Sequence, residues 1–213
     1  MKQSLIITYL LFILIMYVHL ISLLHQKNMW RKTTKALLMP SLLFLYIIQI
    51  EQPSLLIILA LICSFLGDVG LQLAKRESKQ IELFSIALFG CTHLLYIIYF
   101  FGSLSPYKAS WIHAVPYLCA LFLIIYLYIQ KRIQSAIQLV YAAVISCMAA
   151  SSCLYMFYHN SIFSILVFTG ASLFIFSDFL ISRQMNEGHQ KDEIAVMATY
   201  ILAQFLIIVG IIG

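Results

Sequence analysis

Two aspartates stand inside long apolar stretches of this sequence. Asp68 follows Ser64-Phe-Leu-Gly, and Asp178 follows Phe174-Ile-Phe-Ser. Charged groups in such stretches are rare, and they usually mark functional sites. Two carboxyl groups removed from water suit acid/base chemistry, since desolvation and mutual repulsion favour one protonated and one ionised group. The sequence predicts Asp68 and Asp178 as a catalytic pair, and a structural pairing of each acid with Lys or His is the alternative.

Further polar side chains in these stretches are candidates for binding a substrate. His93 and Tyr96 are three residues apart and Tyr200 and Gln204 are four apart, so each pair shares a helix face. Singly, such residues serve as interfacial tyrosines or as hydrogen bonds between helices. Together with two acids they predict one polar pocket open to the cytoplasm. The candidate binding residues are Lys35, His93, Tyr96, Tyr141, Tyr200 and Gln204.

The composition identifies the solvent around these residues. Of the 213 residues, 63% are hydrophobic and 10% are charged, and the mean hydropathy is +0.98. A soluble domain carries about 25% charged residues. These values exclude a soluble enzyme, a nucleic-acid-binding protein and a disordered chain. Membrane lipid is therefore the predicted partner of most of the surface.

Eight stretches approach the roughly 20 apolar residues that a helix needs to cross a bilayer. They are apolar on all sides, whereas the strands of a membrane barrel alternate polar and apolar residues. Too few residues remain outside them for a soluble domain. We predict an all-α membrane protein with a single domain over residues 1–213. The predicted spans are Leu5–Leu24, Ala36–Ile50, Ser54–Ala74, Ile81–Phe101, Trp111–Ile129, Ile133–Tyr158, Ser161–Ile181 and Ile194–Ile212.

The basic residues predict the orientation of the chain. Eleven of the thirteen Lys and Arg residues fall in alternate loops on one side, which the positive-inside rule assigns to the cytoplasm. Both termini are then extracytoplasmic, in the inner membrane if the source is bacterial. At about 1.5 Å per residue, Asp68 and Asp178 both lie roughly 8–9 Å from the cytoplasmic helix ends. The eleven are Lys27, Arg31, Lys32, Lys35, Lys75, Arg76, Lys79, Lys131, Arg132, Arg183 and Lys191.

The two aspartate contexts resemble each other. Phe65-Leu-Gly-Asp68 aligns with Ile175-Phe-Ser-Asp178. The match is compatible with a diverged 4+4 repeat of parallel halves, and chance similarity between apolar stretches explains it equally well.

The remaining metal-ligating residue types do not predict a metal site. The five cysteines fall within spans without the spacing of metal ligands, which favours free thiols that pack against neighbours. Of the histidines, only His93 lies at the depth of the acids. We predict that His19, His25, His113 and His159, at or near span ends, are interfacial. No metal or cofactor is expected.

These motifs resemble the YhhN family of eight-span membrane proteins, which includes lysoplasmalogenases. One departure is that the family often has Lys-Pro at the start of its second span, where this chain has Lys35-Ala36. The resemblance is carried by Ser64-Phe-Leu-Gly-Asp68, His93-Leu-Leu-Tyr96, Tyr141 through Met148, Phe176-Ser-Asp178 and Thr199-Tyr-Ile-Leu-Ala-Gln204.

The resemblance implies hydrolysis of the vinyl-ether bond of lysoplasmalogens to a fatty aldehyde and a glycerophospho-ethanolamine or -choline. Asp68 and Asp178 then supply the acid and the carboxylate, Lys35 holds the lipid phosphate, and the other polar residues orient substrate or water. Three alternatives stay open. They are a proton-coupled transporter of a small molecule or lipid, a hydrolase of lipid esters or amides, and a structural membrane protein without catalysis.

Overall fold

The computed structural model describes residues 2–25, 28–74, 79–104, 111–133, 135–187 and 193–213. These residues form eight α-helices and one short 3-10 turn, Trp111–Ala114, and contain no strand. The all-helical prediction is therefore confirmed for them. The helices are α1 Lys2–Leu24, α2 Asn28–Gln49, α3 Leu55–Ala74, α4 Lys79–Gly102, α5 Val115–Ile129, α6 Ala136–His159, α7 Ile162–Glu187 and α8 Glu193–Ile212.

Six of the helices are long and apolar enough to cross a membrane, which makes the chain a multi-pass membrane protein. The qualifying segments lie in α1, α3, α4, α6, α7 and α8.

The other two predicted spans differ from expectation. Helix α2 begins at Asn28 instead of Ala36, and basic residues in its first turns lower its hydropathy. Pro40 lies inside α2 without ending it. Helix α5 has only 15 residues, because Pro116 occupies its first turn and the preceding segment forms the 3-10 turn. The crossing of the membrane by α2 and α5 stays a prediction.

The orientation of the termini and the 4+4 repeat stay predictions as well. Part of the charge pattern behind the orientation lies outside the described residues, namely Lys27, Lys75, Arg76, Lys108 and Lys191.

Contacts divide the chain into two compact units, Met1–Leu95 and Tyr96–Ile211, with the boundary inside α4. In the first, the N-terminal unit, α1 packs against α2 and α2 against α3. Helices α3 and α4 approach closely at Gly67, where a Cβ atom would lie 2.9 Å from the ring of Phe89. Small residues permit such close contacts between membrane helices.

In the second, the C-terminal unit, α6 packs against both α5 and α7. Helices α7 and α8 meet main chain to main chain, because a Cβ atom on Gly170 would lie 2.7 Å from the carbonyl oxygen of Ala203. At the end of α4, Phe100 packs against Tyr155 of α6 with ring centroids 5.4 Å apart. These contacts fix α7, which carries Asp178.

Candidate functional site

Asp68 lies on α3 and forms an ion pair with Lys35 of α2. The Lys35 Nζ atom is 3.2 Å from Asp68 Oδ1, and the Asp68 side chain is only 3% exposed. A charge inside a membrane span needs a partner of opposite charge or a polar cavity, and Lys35 supplies the partner. Lys35 therefore contacts an acid of the predicted catalytic pair, and its predicted contact with a lipid phosphate stays a prediction.

Hydroxyl groups fix α4 against α3 one helical turn from Asp68. The Thr92 hydroxyl lies 3.1 Å from the main-chain carbonyl oxygens of Ala60 on α3 and of Leu88 on α4, and 3.3 Å from Ser64 Oγ. His93, the next residue on α4, is fully buried. We call Lys35, Ser64, Asp68 and Thr92 the Asp68 region.

Asp178 lies on α7 and accepts a hydrogen bond from Tyr141 of α6. The Tyr141 hydroxyl is 2.7 Å from Asp178 Oδ2. The preceding residue, Ser177, donates to the carbonyl of Val196 on α8 at 3.1 Å. Asp178 is thus held between two neighbouring helices, and its described partner is a neutral phenol. We call Tyr141, Ser177, Asp178 and Val196 the Asp178 region.

Two more of the predicted binding residues contact each other in the C-terminal unit. The Tyr96 hydroxyl donates to Gln204 Oε1 at 2.7 Å, and both side chains are fully buried. The Tyr96 ring stacks with Phe100 at a centroid distance of 6.1 Å. Tyr200, one turn before Gln204, is buried and meets Phe174 edge to face at 5.4 Å.

The structure therefore brings together three pairs of the residues selected from sequence: Lys35 with Asp68, Tyr141 with Asp178, and Tyr96 with Gln204. His93 and Tyr200 are buried, and their role in binding a substrate stays a prediction. The joint action of Asp68 and Asp178, and the single cytoplasmic pocket, stay predictions.

His19 is the residue that the sequence reasoning placed wrongly. It was expected at the interface, but its side chain is fully buried, and its Nδ1 lies 2.9 Å from the Thr34 hydroxyl of α2. Gln72, one turn after Asp68 on α3, also has a buried side-chain nitrogen. Both residues are polar and lie within predicted apolar spans, which indicates burial. Their positions near the span ends favoured an interfacial interpretation instead.

Across residues 2–25, 28–74, 79–104, 111–133, 135–187 and 193–213, no three His, Cys, Asp or Glu side chains converge as a metal site requires. The five cysteines are free thiols, as predicted, but the expected packing against neighbours is wrong for Cys91 and Cys119, which are exposed.

Comparison with known proteins agrees with the sequence motifs. The model of the YhhN family matches residues 30–211, which include every candidate residue from Lys35 to Gln204 and leave α1 outside. No curated protein and no solved structure matches the chain. Because the family match covers most of the sequence, the chain belongs to the YhhN family.

Proposed function

We propose that this protein is a lysoplasmalogenase-like membrane hydrolase. It cleaves the vinyl-ether bond of a lysoplasmalogen, releasing a fatty aldehyde and a glycerophospho-ethanolamine or -choline. The observation that carries the proposal is the contrast between two intramembrane carboxyl groups. Asp68 is paired with an ammonium group, whereas Asp178 accepts a hydrogen bond from a phenol. Membership of the YhhN family supports the same assignment.

The chemistry needs two carboxyl groups in different states. Hydrolysis starts when an acid transfers a proton to the β-carbon of the vinyl ether, which produces an oxocarbenium ion. Water adds to this cation, and the hemiacetal collapses to the aldehyde and the alcohol. A negatively charged group stabilises the cation and activates the water, as the carboxylate pair does in glycosidases. None of these steps requires a metal or a cofactor.

The contacts support a specific division of roles. Asp178 acts as the proton donor: Tyr141 occupies Oδ2, which leaves Oδ1 for the proton that is transferred. Asp68 acts as the carboxylate, because the ammonium of Lys35 balances its charge in a membrane span. His93, Tyr96, Tyr200 and Gln204 orient the acids, the water or the glycerol backbone, and the active site opens to the cytoplasm.

The decisive experiment measures aldehyde release by the purified protein in nanodiscs. The substrate is a 1-alkenyl lysophospholipid, and mass spectrometry identifies the product. Loss of a positioned proton donor or base typically lowers turnover by about 10²–10⁴-fold, so we expect losses in this range for Asp68→Asn and Asp178→Asn. Glu51→Gln, at an exposed acid between α2 and α3, is the matched control and retains full turnover.

Two results would contradict the proposal. Near-normal aldehyde release by a monodisperse Asp68→Asn or Asp178→Asn variant removes that acid from the mechanism. Proton-coupled flux in proteoliposomes without any aldehyde product favours a transporter instead.

A further inference from the structure

The hydrogen bonds around His19 determine which of its ring nitrogens carries a proton. The Thr34 hydroxyl lies 2.6 Å from the carbonyl oxygen of Trp30 and 2.9 Å from His19 Nδ1. Two oxygen atoms 2.6 Å apart need a hydrogen between them, and a carbonyl oxygen only accepts, so we assign the single hydroxyl hydrogen of Thr34 to the contact with Trp30. The hydroxyl oxygen then accepts from the imidazole. His19 therefore carries its proton on Nδ1.

The other nitrogen of the neutral ring, Nε2, is left with a lone pair. It is buried and has no hydrogen-bond partner among the described residues. Buried polar atoms in native proteins nearly always have a partner in the protein or in a bound molecule. A buried acceptor that has no partner in the protein therefore indicates a position where a bound molecule supplies the donor.

The surroundings of this acceptor place it beside the Asp68 region. Thr34, the hydrogen-bond partner of His19, stands on α2 directly before Lys35 and three residues after Arg31, and Lys35 is bound to Asp68 at 3.2 Å. Two cationic neighbours disfavour a metal ion or an ammonium group as the donor, which leaves a neutral group.

A second buried polar atom points to the same ligand chemistry. Gln72 Nε2 is buried and has no hydrogen-bond partner in the part of the chain that the structure describes. Gln72 lies four residues after Asp68 on α3, so the two side chains share a helix face. Nε2 of an amide is a donor, whereas Nε2 of His19 is an acceptor. An O–H group is the simplest neutral ligand that satisfies both types.

We propose that His19 Nε2 accepts a hydrogen bond from an O–H group bound at the Asp68 region. The group is either the free glycerol hydroxyl of a lysolipid, which stands on the carbon next to the ether arm, or the hydrolytic water. The assignment rests on the proposed function and adds a recognition residue to it. His19 lies on α1, outside the part of the chain that the family model matches.

The state of the ring is testable without any activity. The full chain is labelled with ¹⁵N-histidine in nanodiscs, and His19→Asn identifies the resonances of His19. We expect a protonated Nδ1 and an unprotonated Nε2. A protonated Nε2 overturns the inference.

The ligand is tested with two substrates and two matched variants. The substrates are a 1-alkenyl lysophospholipid and its 2-deoxy analogue. The Asn side chain of His19→Asn retains a donor near the Nδ1 position and deletes Nε2, whereas His19→Gln restores an oxygen acceptor near the Nε2 position. Loss of one net hydrogen bond corresponds to about a tenfold change in kcat/KM. We expect His19→Asn to lose this factor and His19→Gln to recover it.

The two substrates distinguish the sources of the O–H group. A loss confined to the hydroxyl-bearing lipid identifies the glycerol hydroxyl, and an equal loss on both lipids identifies the water. Unchanged kcat/KM of His19→Asn on both lipids overturns the inference while the proposed function stands. If the wild-type protein releases no aldehyde, the proposed function fails, and the recognition role of His19 fails with it, whatever the tautomer.

Discussion

The Asp68 region and the Asp178 region accommodate the same side chain in a membrane helix by different means. Asp68 is 3% exposed and is balanced by the ammonium of Lys35 at 3.2 Å. Asp178 is partly buried and is bound by the hydroxyl of Tyr141 at 2.7 Å. A charge pair and a hydrogen bond from an uncharged phenol differ in what happens when the partner is removed. In the first case a buried carboxylate loses its counter-charge, and in the second it loses one hydrogen bond.

The packing around the two acids also differs. Helix α3 meets α4 through Gly67 and the side chain of Phe89, whereas α7 meets α8 through Gly170 and a main-chain carbonyl. A phenyl ring moves with its side-chain torsions, and a helical carbonyl moves only with its helix. An added Cβ atom is therefore accommodated more easily at Gly67 than at Gly170.

The largest effect on stability is expected from removal of the Asp68 counter-ion. Lys35→Met removes the ion-pair partner of the buried Asp68 carboxylate, which lowers the free energy of unfolding by about 3–5 kcal/mol. Unfolding in mixed micelles measures the change. Lys32→Met, at an exposed lysine on the same helix, is the control. The double variant Lys35→Met/Asp68→Asn recovers much of the loss, and a stable Lys35→Met protein would show that the ion pair does not balance Asp68.

An intermediate effect tests the difference in packing. Gly170→Ala forces a Cβ atom against the Ala203 carbonyl oxygen and destabilises the protein by about 1–3 kcal/mol, the usual range for overpacking. Gly67→Ala has a smaller effect, because the Phe89 ring can turn aside. At Gly90 an added Cβ meets nothing within 4 Å, so Gly90→Ala is the control. Thermal unfolding measures the stability of the three variants. A larger loss of stability for Gly67→Ala than for Gly170→Ala contradicts the predicted difference in packing.

The smallest effect on stability is expected at the hydrogen bond of Asp178. Tyr141→Phe removes the phenolic donor and lowers the free energy of unfolding by about 1 kcal/mol. The same unfolding assay measures it, with Tyr128→Phe at an exposed tyrosine as the control. A loss as large as that of Lys35→Met would indicate that Tyr141 balances a full charge and would remove the distinction between the regions.

The sequence predicted the helices better than their contacts. A helix satisfies its own backbone hydrogen bonds in lipid, so an apolar stretch of sufficient length is enough to identify it. The departures lie at the ends and have local causes. Pro116 starts α5 later than the hydropathy indicated, and the basic first turns of α2 are helical although they are not apolar.

The sequence selected the candidate residues but did not predict which of them contact each other. Periodicity placed Tyr200 and Gln204 on one face of α8, but it could not select Tyr96 of α4 as the partner of Gln204. His19 shows the opposite error. Nearness to a span end indicated an interfacial residue, and the packing of α1 on α2 buried it.

The sequence by itself determined that this chain is an all-helical multi-pass membrane protein of the YhhN family with two acids inside its spans. Composition and the thickness of a bilayer suffice for the membrane assignment, because lipid leaves few ways to satisfy a backbone. Only the tertiary structure decided that Lys35 pairs with Asp68, that Tyr141 binds Asp178 and that His19 is buried. Helical periodicity defines the face of each residue, whereas the helix opposite that face depends on packing between segments distant in the chain.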